Sequence, residues 1–182
     1  MTSVDLDQIQ KSSRHSKIIG AFGEAFLSNW LSRSGFDVVI VDHSGLDLVA
    51  YYPDTGRRLG ITVKSRTRSG GTEAQGVTVF FNRKRPSDRK KLLAACKTFG
   101  CELWVAVYVE TAKAADLYLL SLQHFDDVYC PNKSSAVDAW KMGERQKRRY
   151  EMDPEVRHIE VEFRTHTWTF PPTKVRADQV IE

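Results

Sequence analysis

Three residues could do chemistry by their type and spacing. Glu24 lies in a stretch with helical periodicity, Asp47 in Gly45-Leu46-Asp47-Leu48-Val49-Ala50, and Lys64 in Ile61-Thr62-Val63-Lys64-Ser65-Arg66. Asp47 and Lys64 fall on the two arms of one predicted hairpin. Its turn is centred on Thr55-Gly56, so the start of one arm is expected opposite the end of the other, with the two side chains meeting at one edge. A carboxylate and an ammonium placed together have two explanations. One is a structural ion pair. The other is a centre for cleaving a phosphodiester, where carboxylates hold Mg²⁺ and the lysine stabilises the attacking hydroxide or the developing phosphorane charge.

The elements that must position these residues follow from periodicity and turn chemistry. Ile18, Phe22, Ala25, Phe26 and Trp30 recur at three-and-four spacing and predict a helix over Ser16–Ser32, stopped by Ser34-Gly35. Gly20, Glu24, Leu27 and Leu31 form a second line along it, so Glu24 stands among leucine and glycine. Strands are expected at Phe36–Val41, Leu46–Tyr52 and Leu59–Arg66. His43-Ser44-Gly45 makes the first turn and Pro53-Asp54-Thr55-Gly56 the second. Alternation against Ile61 and Val63 places Lys64 on one face with Thr62 and Arg66. After the glycine-rich loop Ser69–Thr72 comes a strand at Val77–Asn82. Pro86-Ser87-Asp88 then opens a helix to about Thr98 with Gly100 as its stop. Leu103–Glu110 has the composition of a central buried strand, and Leu117–Leu122 of another. Ser134–Tyr150 is expected to be a basic helix, Ile159–Phe163 a half-buried strand, and the stretch from Pro171 an extended tail. The fold class is α/β: a polar leader over 1–15, an α/β core over 16–125 with the order α-β-β-β-α-β, and a basic helix, strand and tail over 126–182.

Composition narrows the function classes. Hydrophobic residues make up 41% and charged residues 27% of the 182, ordinary values that exclude wholesale disorder and fibrous repeats. The apolar stretch around Trp104–Val109 is far shorter than the roughly 20 residues of a membrane span. Cys96, Cys101 and Cys130 form an odd set with no paired framework, and the start of the chain lacks a basic-then-apolar pattern. A reduced, cytoplasmic protein is expected. Net charge is only +4, but the cations are clustered. Arg57, Arg58, Lys64, Arg66 and Arg68 form one group, Arg83, Lys84, Arg85, Arg89, Lys90 and Lys91 a second, and Lys141, Arg145, Lys147, Arg148 and Arg149 a third. Each could be a solvated face. Together they suit a polyanion, because each phosphate contact releases condensed counterions.

Other arrangements carry less. Cys96, Cys101, His124 and Cys130 do not have the compact spacing of a zinc site. His158, Glu160 and Glu162 share a strand face and read as solvated. His43 precedes Asp47 in a loop, where histidine is usually inert. Trp140 could stack on a base, though packing is its default role. Neither a phosphate-cradling glycine loop nor a Gly-x-Ser-x-Gly elbow occurs.

The helix with Gly23-Glu24, the hairpin with Gly45-Leu46-Asp47 and the run Thr62-Val63-Lys64 resemble the PD-(D/E)XK nuclease superfamily, restriction-endonuclease-like and Holliday-junction-resolvase-like. The resemblance covers roughly Lys17–Val109. It implies a restriction-endonuclease-like mixed sheet and metal-dependent hydrolysis of DNA by an endonuclease or exonuclease. Glu24, Asp47 and Lys64 would be catalytic, and Mg²⁺ or Mn²⁺ would be held by Asp47, Glu24, the Val63 carbonyl and Thr62. Arg66, Arg68, Arg83, Lys84, Arg85 and Lys90 would grip the backbone of the DNA. No membrane is involved, and a homodimer is in keeping with the resolvase-like members. One position departs: Thr62 stands where the family carries an acid or glutamine. Either another acid substitutes, with Glu73 as a candidate, or the scaffold survives as a nucleic-acid-binding module or a protein-interaction domain.

Overall fold

The computed structural model describes residues 8–83, 86–132, 135–165, 167, 168 and 170. Lys84, Arg85 and the expected tail from Pro171 lie outside the described residues. Helix α1 (His15–Arg33) is followed by strands β1 (Asp37–His43), β2 (Leu46–Tyr52), β3 (Arg57–Thr67) and β4 (Val77–Phe81). Then come α2 (Asp88–Phe99), β5 (Glu102–Glu110) and β6 (Ala114–Ser121). A short helical stretch α3 (Leu122–His124) runs into a π-helical turn at Phe125–Tyr129, before β7 (Val137–Trp140), α4 (Glu144–Glu151) and β8 (Arg157–Glu162). The α-β-β-β-α-β order expected for the core is present, with β4 inserted ahead of α2.

Six strands form one mixed sheet in the order β1-β2-β3-β5-β6-β8. Only β3 and β5 pair in parallel; the other neighbours are antiparallel. That parallel pairing requires a crossover, and α2 lies within it, which is the physical reason for the helix between Phe81 and Glu102. The inner strands β2, β3, β5 and β6 alternate between two buried layers. Leu48, Ala50, Ile61, Val63, Ala106, Tyr108 and Leu117 pack under Ile19, Leu27 and Leu31 of α1. Val105, Val107, Val109, Tyr118 and Leu120 face the opposite way. There they meet Leu92 and Cys96 of α2, Val79 and Phe80 of β4, and Trp140 and Tyr150.

The caps of α2 match the sequence reading: the Ser87 hydroxyl accepts the Lys90 amide, and Gly100 closes the helix at φ +62°. The region expected as one helix over Ser134–Tyr150 differs. Asp138 and Trp140 point inward while Val137 and Ala139 point outward, a period-two pattern that pairs with β4. Helix begins only after Gly143. Basic residues near the end of the stretch gave it helical propensity, whereas burial of Trp140 decided its first half. Trp140 is fully buried, stacked on Tyr150 at 3.8 Å between ring centroids, so it is a core residue and takes no part in base stacking.

Candidate nucleic-acid interface and phosphodiester site

The candidate site lies where the sheet forks. β2 pairs with β3 from Tyr52↔Arg57 to Leu48↔Ile61 and then turns away. β3 continues beside β5 as far as Thr67. Beyond the last pair the next inward-facing donor of β3, the Val63 amide, has lost its neighbouring strand, and a buried amide needs an acceptor. Asp47 supplies it: Oδ2 accepts from Val63 N at 2.6 Å and from the Thr62 hydroxyl at 3.0 Å.

The hairpin register therefore places Asp47 opposite Thr62, two residues short of the expected meeting with Lys64. Lys64 shares the face of Thr62 and is half-buried, aligned with Val107 of β5. In an extended strand the N–H and C=O of one residue point to the same side. Because Val63 N–H points at Asp47, its carbonyl also faces the fork. Asp47, Thr62, Lys64 and the Val63 backbone are thus gathered on one face at one strand divergence.

Gly45 makes the approach possible. Its φ is +93°, and a Cβ there would lie 2.6 Å from Lys91 Cβ and 2.8 Å from Leu92 N. Only glycine lets α2 pack this close to the turn before Asp47.

Glu24 is half-buried on α1 beside Gly23, whose line faces the opposite side of the sheet from Asp47. Glu73 is half-buried in the β3–β4 loop. Among the described residues no group of three His, Cys, Asp or Glu side chains gathers as a metal cage. His43, an exposed residue, packs edge-on against Phe99.

The cations divide into surface groups and structural ones. Arg66 is exposed beyond Lys64 on the same strand. Arg68 donates to the Gly76 carbonyl at 2.8 Å. Burial, with the Arg66 guanidinium second, lowers its pKa from the usual arginine value. Arg83 and Lys90 are exposed. Arg89 is committed internally: it bridges Asp126 and Asp138 at 2.7 Å each and lies 4.5 Å from the Phe80 ring centroid. In the third cluster, Lys147 is tied to buried Asp116 at 2.8 Å, and Arg149 covers the Tyr129 ring.

One group was not legible beforehand. His15 Nε2 lies 2.6 Å from Thr67 Oγ1, which donates to Glu110 Oε1 at 2.7 Å. Only the parallel register Thr67↔Glu110 brings residues so distant in sequence together.

No family model matches the chain, and none of the curated proteins does. Among solved structures, the chain is similar to a Holliday junction resolvase, Hjc, of the archaeal hyperthermophile Archaeoglobus fulgidus. Identity is 22% over 57% of this chain and 73% of that one, with a TM-score of 0.42. No helix among the described residues is long and apolar enough to cross a membrane.

Proposed function

We propose that the chain acts on DNA as a divalent-metal-dependent phosphodiesterase, with its chemistry at the β2/β3 fork. The observation that carries this reading is the convergence of the Asp47 carboxylate, the Val63 backbone and Lys64 on one face. The donors suit Mg²⁺, which takes one or two carboxylates, keeps several waters and accepts substrate phosphate oxygens. Asp47 and the Val63 carbonyl would hold the ion, with the Thr62 hydroxyl beside them as a neutral donor. When bound, such an ion polarises a phosphoryl oxygen and lowers the pKa of coordinated water.

The chain's own residues do the rest. Thr62 and the Val63 amide fix the Asp47 carboxylate in one orientation, so no rotamer has to be frozen when substrate arrives. Lys64 orients a water by hydrogen bonding and offsets negative charge on the phosphoryl group. Arg66, Arg68, Arg83 and Lys90 contact the backbone and contribute salt-dependent affinity without reading bases. Glu24 is the remaining acidic candidate.

A binding-only module is the second reading. Thr62 favours it, since the carboxylate of the usual pair is missing and Asp47 already serves the fold. Calorimetric titration of Mg²⁺ and Mn²⁺, alongside cleavage of linear, nicked and junction DNA, separates the two. Metal binding that Asp47→Asn abolishes, with cutting that Lys64→Ala abolishes while DNA affinity stays within about twofold, supports hydrolysis. DNA binding that is unchanged by metal, without cutting, selects the binding module.

A further inference from the structure

Beyond the C-terminal turn of α1, on the face of the sheet turned away from Asp47, lies a cavity of about 480 Å³. It opens over the starts of β3, β5 and β8 and the end of β6. Its size falls within the range of about 300–1,000 Å³ usual for small-ligand pockets. α1 packs chiefly over β1 and β3, and it ends at Ser34 before it covers these strand ends. The floor is aliphatic: Leu31, Leu59, Leu117 and Leu119 line it, each no more than 8% exposed. The half-buried indoles of Trp30 and Trp104 line it as well. Such a surface gives water no hydrogen-bond partners and leaves its own atoms without contacts on one side, so an apolar guest is favoured.

The mouth has the opposite character. No acid lines the cavity, but two exposed arginines do, Arg57 and Arg157. Arg57 is engaged by Glu102 through two hydrogen bonds, from Nε at 2.9 Å and from Nη2 at 2.7 Å. Arg157 stands opposite Leu119 in the sheet. It donates to the Pro154 carbonyl and meets no acid among the described residues. Arg33, 4.2 Å from the Trp30 ring centroid, adds a third cation on that side. His158 also lines the cavity, but its Nε2 is taken by Asp116 at 2.8 Å. Three guanidiniums against the Glu102 carboxylate make the potential at the mouth attractive to an anion.

We propose that this cavity binds a small aromatic carboxylate, its ring against Trp30 and Trp104 and its carboxylate on Arg157. Indole faces favour a flat ring in offset or edge-on contact, and a guanidinium pairs with a carboxylate through two parallel hydrogen bonds. A nucleotide fits less well, because the donors and acceptors on the edge of its base would be buried against leucine. The site is distinct from the fork, and the proposal does not depend on hydrolysis there.

The test is calorimetric titration of the full chain with 2-naphthoate and with its neutral isostere, 2-naphthamide. The acid is expected to bind with one-to-one stoichiometry, about tenfold tighter than the amide, since a charge-assisted pair distinguishes them. Arg157→Gln should erase that preference without shifting the melting temperature, because the side chain is exposed and bonds only a nearby carbonyl. Leu119→Phe fills the floor and should weaken both ligands severalfold. Trp30→Ala removes part of the half-exposed wall and gives the same readout if the leucine variant fails to fold. Absence of binding by both ligands at millimolar concentration overturns the proposal. So does equal affinity for acid and amide, a preference that survives in Arg157→Gln, or binding that Trp30→Ala leaves unchanged. Thymidine 5′-monophosphate is titrated in parallel, and tighter binding of it than of the acid makes the cavity a nucleotide site and overturns the proposal as well.

Discussion

Replacing Asp47 separates its two roles. Asp47→Ala strands the Val63 amide and the Thr62 hydroxyl, 8% and 3% exposed as residues. A hydrogen bond to a charged acceptor is worth about 1.5–3 kcal/mol, and a neutral one about 1. The Thr62 hydroxyl can rotate, and water reaches half-buried Asp47, so the lower part of that range applies. We expect about 2 kcal/mol of destabilisation, which for a chain of this size lowers Tm by about 4–8 °C. Asp47→Asn is different. Its carbonyl oxygen still accepts both bonds but lacks charge, so the loss should be about 1 kcal/mol or less. Both variants should lose divalent-metal affinity and DNA cleavage alike. Calorimetric melting of the metal-free chains, paired with metal titration of each, reads the two effects separately. An alanine variant melting within a degree of wild type refutes the cap at the fork. An asparagine variant that keeps its metal affinity and its cutting refutes the ligand role.

Two further outcomes follow from charges buried elsewhere. Arg89→Ala leaves Asp138, only 4% exposed, with Asn82 as its remaining side-chain partner; a loss of about 3 kcal/mol is expected in urea denaturation, with the salt slope of DNA binding unchanged. At Asp116, burial alone would raise the carboxyl pKa, but His158 and Lys147, each at 2.8 Å, outweigh it and lower the pKa. A depressed folded-state pKa means stability that is fully present above the unfolded carboxylate value, about 3.9, and lost as pH falls through the folded value. The urea midpoint of wild type should therefore drop between pH 5 and 3 more steeply than that of Asp116→Asn, and parallel slopes would disprove the assignment.

Elements with strong local signals were legible directly from the residues. Ser87 and Gly100 bound α2 because a hydroxyl cap and a left-handed glycine act within one turn of chain. Alternation around Lys64 fixed which residues share its face, because strand periodicity is a local property. Asp47 and Lys64 were legible as chemistry, but their register was not. A two-residue difference in the hairpin put Asp47 against Thr62, and only the divergence of β2 from β3 explains why Val63 needs that carboxylate. The stretch around Trp140 was expected as helix because helix propensity is summed over neighbours, while the burial of Trp140 depends on Tyr118, Tyr129 and Tyr150 arriving from three other parts of the chain. The commitment of Arg89 to Asp126 and Asp138 was hidden for the same reason: a cation looks equally basic in sequence whether it faces solvent or two buried acids. The chain of His15, Thr67 and Glu110 depends on the parallel pairing of β3 with β5. No spacing encodes that contact, because the register of a crossover is set by how the intervening helix packs.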